Sequence, residues 1–441
     1  MAEAVTHETG IRSFPRPFWV ASLYELFERG AYYGVQSVLA VYLAGKVADG
    51  GLGFSKSAVG LLQSVVYALT YIIPIFGGAL AERFGYRRML MFAFAMLSLG
   101  YFVTGHVSSY GVVFASLVFM AVGSGLFKPI VSGTIARSTT GKNSTLGFGI
   151  YYWTINLGAF LSPILVSYLK GFSWSYVFIA SSAWCALMLL PNIFIFRDPP
   201  KPESTKSIGQ TVAEALMVLK NFRFVLMIVI YSGFWILYFQ MFNTVLWYLQ
   251  EFVDTTPIDN ILSGIGHFFG RESRITFDVA YVTSVNAGTI ICLQMLVSWI
   301  VARFKALPTM IAGVGIGTFG FLLLALSGHA AFFFFGVVLF SIGEMTCHPK
   351  YYSYIGQIAP KDKVAVYMGY AFLYGIIGSL VGNNLGAALY THFVEGQAEP
   401  SPRSLWMVFF VMGIATMFGL ALYNRFLAPK EDGTEGAVPS A

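Results

Sequence analysis

Apolar runs of about twenty residues recur along the whole chain. They fall near 18–43, 57–80, 87–105, 110–136, 146–170, 174–196, 223–250, 277–302, 307–327, 330–357, 364–392 and 402–426. A run of that length is what a helix needs to cross the hydrocarbon layer of a bilayer. Lipid offers no partner to an unpaired backbone amide, so spanning segments that are not strands of a closed barrel must be helices. Twelve runs therefore predict an all-α integral membrane protein with twelve transmembrane helices. Only 11% of the 441 residues are charged and 56% are hydrophobic, against about 25% charged in soluble domains. That balance excludes a soluble globular protein. Cys185, Cys292 and Cys347 lie scattered inside apolar runs and read as small core residues, not as a disulfide framework or a zinc site. The polar start of the chain lacks the short apolar stretch and cleavage site of a signal peptide, so the first span is expected to act as the insertion signal.

Basic residues predict the orientation. With both termini in the cytoplasm, most of the 27 Lys and Arg residues fall inside, including Arg12, Arg83, Arg137, Lys142, Lys201, Arg303, Lys361 and Lys430. Outside stand Lys46, Lys56, Lys170, Arg271, Arg274 and Arg403. This asymmetry accounts for the net charge of +6 without a nucleic-acid partner. The one polar linker, RDPPKPESTKS, follows the sixth run. It divides the chain into a tail over 1–17, a six-helix bundle over 18–196, a linker over 197–222, a second bundle over 223–426 and a tail over 427–441. The halves look related. Adding 220 to a residue number takes Arg83-Phe84 to Arg303-Phe304, Gly100 to Gly320, Gly123 to Gly343, Lys128-Pro129 to His348-Pro349, and Gly158 to Gly378. The long loop 251–275 reads as a plain solvated cap, with a short interfacial helix over ILSGIGHFF as the alternative.

Some spans carry charge. One Arg, Lys or Asp at the centre of a spanning helix costs about 2.5–3.5 kcal/mol on insertion scales, so such residues must face the protein interior. Glu25, Glu28, Arg29, Tyr32 and Gln36 share one helical face. Lys128 lies in the fourth span and Glu344 in the tenth, with His348 one turn on; Lys350, nearer the end, can snorkel. Three acids against two bases leave one carboxylate to be protonated or to meet a cation. That suits a proton-coupled carrier of an amine-bearing substrate.

Several motifs resemble known signatures. GALAERFGYRR, with Gly78, Glu82, Arg83, Gly85, Arg87 and Arg88, resembles the loop motif of the major facilitator superfamily, which implies a charge-relay gate. Glu25-x-x-Glu28-Arg29-Gly30-x-Tyr32-Tyr33-Gly34 resembles the first-helix signature of the proton-coupled oligopeptide transporter (POT/PTR) family. VVYALTYIIPIFGG, GSGLFKP, GIYYWTINLGAFLSP and GEMTCHP are similar to its motifs in helices two, four, five and ten. The resemblance implies the major facilitator fold, in two six-helix bundles, and the import of di- or tripeptides by alternating access. It implies that Arg29, Lys128 and Tyr33 hold the peptide carboxylate, that Glu344 with Asn156 holds the amine, and that Tyr67 lines the pocket. Glu25, Glu28, Arg29 and Lys128 would share in proton coupling. Tyr32, Gln240, Asn286 and His348 are further candidates. The match loosens at Gly30, where the signature has Phe, and at Phe239, where the family has an acid before a glutamine.

The expectations are a multi-pass plasma (inner) membrane protein, a monomer, with protons, lipid and a small peptide as partners. No cofactor beyond the proton gradient, no metal and no enzymatic activity are expected. Two alternatives stand: a facilitator of another small zwitterion, organic anion or drug, and, more remotely, a non-transporting receptor or scaffold.

Overall fold

The computed structural model describes residues 11–139, 143–198, 219–268, 270, 273–360, 367–368 and 370–428. Lys142, Arg271, Lys361, Lys363, Lys430 and most of the expected linker lie outside them. Among the described residues the chain is helical, with one isolated bridge between Asp254 and His329. Nine helical stretches among the described residues, Trp174–Phe194 and Phe222–Phe252 included, are long and apolar enough to cross a membrane.

The first half contains α1 (Arg16–Ala44), α2 (Lys56–Phe84), α3 (Tyr86–Thr104), α4 (Tyr110–Arg137), α5 (Ser144–Lys170), α6 (Trp174–Leu187) and the short α7 (Leu189–Phe194). The second contains α8 (Phe222–Gln240), α9 (Thr244–Phe252), α10 (Thr256–Phe268), α11 (Tyr281–Val301), α12 (Ala306–Leu326), α13 (Ala330–Ile358), α14 (Leu373–Phe393) and α15 (Pro402–Phe426). The tightest pair, α12 with α13, lies within the second half. Between the halves, α2 packs on α14, α5 on α11, and α1 on α9.

The 220-residue offset reappears as geometry. A Cβ on Gly100 would meet the Ser116 carbonyl and Met120, and one on Gly320 would meet the Gly336 carbonyl and the Phe340 amide. A Cβ on Gly123 would meet Ala93 and Leu97, and one on Gly343 would meet Gly313 and Gly317. Every contact is shifted by the same number, so α3–α4 and α12–α13 pack in the same register. Small residues let these backbones approach closely, as helices in lipid require.

Three features of the spans differ from the sequence expectation. The run 223–250 is two helices, broken over Met241–Asn243. Asn243 caps the new start by accepting from the Thr244 amide at 2.5 Å, and its Nδ2 donates to Asn383. The Met241, Phe242 and Asn243 amides donate to the Tyr238, Phe239 and Gln240 carbonyls, and the buried Gln240 side chain donates to the Ile236 and Gly382 carbonyls, so backbone groups at the break are satisfied internally. The run 174–196 is similarly interrupted at Met188. Cys292, read as a core residue, is exposed, whereas Cys185 and Cys347 are buried.

The 251–275 loop, read as a plain cap, holds a helix. In α10, Ile261, Ile265 and Phe268 form an exposed apolar face, while the buried Asp259 accepts from the Phe277 amide at 2.7 Å and anchors the loop. Lys350 reaches the turn after α11 and donates to the Phe304 carbonyl at 2.7 Å.

Candidate functional site: a charged cavity between the halves

The polar stripe of α1 is buried: Glu25, Glu28 and Arg29 are 2%, 0% and 5% exposed. Charges this deep must find partners. Arg29 donates to both oxygens of Glu28, from Nε at 2.5 Å and from Nη2 at 2.7 Å. Its Nε lies 3.6 Å from Glu25, one turn earlier. Ser124 of α4 donates to Glu28 at 2.8 Å, and Tyr151 of α5 donates to Glu25 at 3.0 Å. The guanidinium also lies over the Tyr32 ring at 4.7 Å and near the Tyr33 ring at 5.9 Å. Arg29 therefore stands in a bidentate ion pair, with Glu25 as a second acid alongside.

Lys128, half-buried in α4, differs. Its ammonium lies 5.3 Å from the Tyr71 ring centroid and 6.0 Å from that of Tyr32. Among the described residues no carboxylate comes within ion-pair distance of it. Of the two cations expected to meet a substrate carboxylate, Lys128 is the one not held by an acid.

Glu344 stands on α13 across the cavity. Asn286 of α11 donates to it at 3.2 Å, and the same amide donates to Ser341 at 2.9 Å. The hydroxyls of Tyr33, Tyr71, Tyr152 and Tyr238 lie within its electrostatic reach. A cavity of about 480 Å³ opens beside it, lined by Tyr152 of the first half and by Gln294, Ser298, Glu344, His348 and Tyr352 of the second. Asn156 is not drawn into this group; its amide donates to the Tyr152 carbonyl one turn back. Asn286, from α11, takes the place beside Glu344.

His348 sits among aromatic rings. Its Nδ1 lies 3.2 Å from the Tyr231 hydroxyl, and its ring lies 5.0 Å from that of Trp235 and 5.5 Å from that of Tyr374. Tyr67 stacks on Phe239 at 5.6 Å, which makes the α2–α8 contact aromatic where the family has an acid. Gln240 serves the helix break and not the cavity. At Gly30 a Cβ would come within 2.8 Å of Trp184, so the α6 indole fills the space that the signature phenylalanine would take.

At the end of the bundle remote from the described chain termini, the halves are tied together. Lys56 of α2 pairs with Glu251 at 2.7 Å and lies 4.0 Å from Glu395, with the Tyr390 ring at 4.2 Å. On the opposite flank Lys170 of α5 pairs with Asp278 at 2.6 Å. Trp247 of α9 donates to the Ala40 carbonyl at 3.2 Å. The sequence pattern alone marked none of these residues as a contact between the halves.

The loop motif closes on its own half. Gly85 adopts φ +94°, the left-handed turn between α2 and α3 that favours glycine. Glu82 meets Arg137 at 3.4 Å. Arg87 donates from Nε to the Asn192 carbonyl at 3.1 Å and from Nη2 to that of Ile193, and its amide donates to Asp198 at 2.6 Å. Arg83 and Arg88 are exposed. Among the described residues, the hydrogen-bond and ion-pair partners of Glu82 and Arg87 all lie at or before Asp198.

A helical membrane body with an internally repeated register and a cavity, lined by Glu344, where its halves meet is of the major facilitator type. The family model of the Major Facilitator Superfamily matches residues 27–382 and 258–440. The chain belongs to that superfamily, and its motifs resemble those of the POT/PTR family. It is 33% identical over 162 residues to the uncharacterized transporter YclF of Bacillus subtilis, covering 36% of this chain and 33% of that one. It is 31% identical over 198 residues to dipeptide and tripeptide permease B of Aliivibrio fischeri, covering 43% of this chain and 38% of that one. In both alignments the chain spans about a third of the relative's length. A crystal structure of a POT family transporter in complex with 5-aminolevulinic acid superposes with a TM-score of 0.78 at 20% identity, covering 95% of this chain and 98% of that one. That likeness speaks for the fold.

Proposed function

We propose that this chain is a proton-coupled carrier that imports di- and tripeptides by alternating access. One observation carries the reading: among the described residues, Lys128 has no carboxylate within ion-pair distance and Glu344 is met by the neutral Asn286, and the two stand in different halves with Tyr71 within reach of both. A peptide zwitterion has the complementary charges at its two ends. Bound between them it would draw the halves together, giving closure the differential binding energy that alternating access needs. Glu25 and Glu28, sharing one arginine, supply the spare carboxylate for a proton.

The finer architecture belongs to the same reading: twelve spans in two bundles of six, both termini in the cytoplasm, a plasma-membrane location, a monomer and no enzymatic activity. The ion pairs at the remote end then close the outer face, and the cavity opens inward. The test is uptake of labelled dipeptides into proteoliposomes under an imposed pH gradient and membrane potential. Proton-dependent accumulation is expected. Its absence across a varied peptide panel would sink the proposal.

A second reading, a facilitator of another small zwitterion, draws on Phe239. It leaves the seventh span without its family acid, and one of the solved relatives is in complex with 5-aminolevulinic acid, an amino acid and not a peptide. Counterflow driven by such amino acids, with none driven by dipeptides, would favour it.

A further inference from the structure

The cavity beside Glu344 does not end at that carboxylate. Glu344, His348 and Tyr352 follow one another at four-residue steps on α13, and Ile290, Gln294 and Ser298 do the same on α11. Residues four apart share a helical face, and both rows line the cavity. From Glu344 to Tyr352 the helix rises about 12 Å. The cavity of about 480 Å³ is therefore a groove that starts at the acid and runs toward the C-terminal ends of α11 and α13. Tyr152 of α5 lines it from the first half.

The chemistry of the groove is one-sided. Glu344 is its acid, and no basic residue other than His348 is among those that line it. Lys350, close by in sequence, is turned away to the Phe304 carbonyl at 2.7 Å. The rings are fixed in place: His348 meets the Tyr231 hydroxyl through Nδ1 at 3.2 Å, and the Tyr352 hydroxyl lies 3.2 Å from that of Tyr374. The two rings meet edge to face, with centroids 5.1 Å apart. Gln294 donates from Nε2 to the Ser298 hydroxyl at 2.8 Å, and among the described residues its Oε1 accepts no hydrogen bond. An acid, aromatic rings and an amide oxygen with nothing to accept suit a donor that carries positive charge. An anion there would face Glu344, and Lys128 is not among the lining residues.

We propose that this groove is a side-chain subsite of the carrier and takes a lysine or arginine side chain on the residue whose amine Glu344 holds. The proposal rests on the peptide reading above, in which Glu344 is the amine pole. The side-chain cation lies among Tyr152, His348 and Tyr352 and donates to Gln294.

The full-length protein in detergent would be titrated by calorimetry with lysyl-alanine, norleucyl-alanine, alanyl-lysine and alanyl-norleucine. Norleucine is lysine without the ammonium, so each pair isolates the charge. Lysyl-alanine should bind about fivefold tighter than norleucyl-alanine, the worth of a cation set against aromatic rings. Alanyl-lysine should show no such gain over alanyl-norleucine, because its amine-bearing residue is alanine. Gln294→Leu should bring the ratio of lysyl to norleucyl affinity toward one. Gln294→Glu, of the same size with an added charge, should raise it. No gain for lysine at the first position of the peptide, or an equal gain at both positions, overturns the proposal in the wild type alone. A ratio that neither Gln294 variant moves overturns it as well. If no dipeptide binds, the peptide reading has failed by itself, and free lysine against free norleucine then tests the groove. The same preference for lysine upholds the subsite; no preference, or no binding, overturns it.

Discussion

The hairpin α3–α4 and the hairpin α12–α13 share a backbone register, yet they carry different chemistry. At the same place stand Ser124 and Glu344, and four residues on stand Lys128 and His348, each followed by a proline inside its helix. In the first half the acids come from α1, and Arg29 neutralises them where they stand; Ser124 only completes the bonding. In the second half the acid is on the repeated helix itself and meets one neutral amide. One half thus contains a closed ion-pair cluster with a lysine outside it. The other presents an acid to the cavity. A duplicated scaffold has been given a locked pole and an open one, and a zwitterion needs both to be asymmetric.

The largest effect should come from opening the locked pole. Arg29→Met would leave Glu25 and Glu28 buried without their cation, and breaking a buried pair from one side costs about 3–5 kcal/mol. A large fall in melting temperature in detergent is expected. Glu344→Gln should change stability by no more than about 1 kcal/mol, the scale of one neutral hydrogen bond, while cutting uptake of free-amine peptides far more than of N-acetylated ones. If the two variants lose equal stability, the contrast between the poles is wrong.

Next come the two residues at the shared position after those poles. Lys128→Gln should weaken binding of peptides with a free carboxylate by about 1.5–3 kcal/mol, the range of a hydrogen bond to a charged group. C-terminally amidated peptides should be spared. His348→Gln should treat both peptides alike, because its ring faces Tyr231 and Trp235. Equal discrimination by the two variants in a binding titration would place His348 on the carboxylate too.

The third effect concerns α1 and its counterpart α8. Gly158 packs on the Leu26 carbonyl and Gly378 on that of Trp235. The same superposition sets Gly30 opposite Phe239. Gly30→Phe would drive a ring into Trp184, and overpacking of this kind costs about 1–3 kcal/mol. Adding Trp184→Ala should recover most of the lost melting temperature. No recovery would mean that the glycine is needed for the backbone and not for the indole.

These contrasts also mark what the sequence could and could not tell. The spans were legible because lipid imposes one length and one period on them. The repeat was legible because glycine contacts in α3–α4 and α12–α13 tolerate no side chain. The stripe of α1 was legible because charge inside an apolar run has few places to face. Pairing was not. Glu28 and Glu25 both lie within reach of Arg29, and a serine ninety-five residues away in sequence sets the bidentate partner. Asn156 and Asn286 look alike in sequence; a rotamer that turns the first back onto its own helix separates them. The break after Gln240 was hidden because Asn243 is one polar residue in an apolar run, and its partner Asn383 lies in α14.

The smallest effect should separate the two ties at the remote end. Exposed ion pairs contribute about 0–1 kcal/mol each and weaken with salt. Lys170 has one acid, Asp278, and the Trp174 ring at 5.6 Å. Lys56 has Glu251, Glu395 and the Tyr390 ring at 4.2 Å, and Tyr390 in turn donates to Glu251 at 2.8 Å. A networked cation with an aromatic face should hold the halves more firmly than a lone pair. Lys56→Gln should therefore shift the population toward opening at that end more than Lys170→Gln does. Spin labels at the remote-end termini of α2 and α9 would read the distance. If Lys170→Gln opens the end further than Lys56→Gln, the closure is carried by the α5–α11 contact, and the α2–α9 network is secondary.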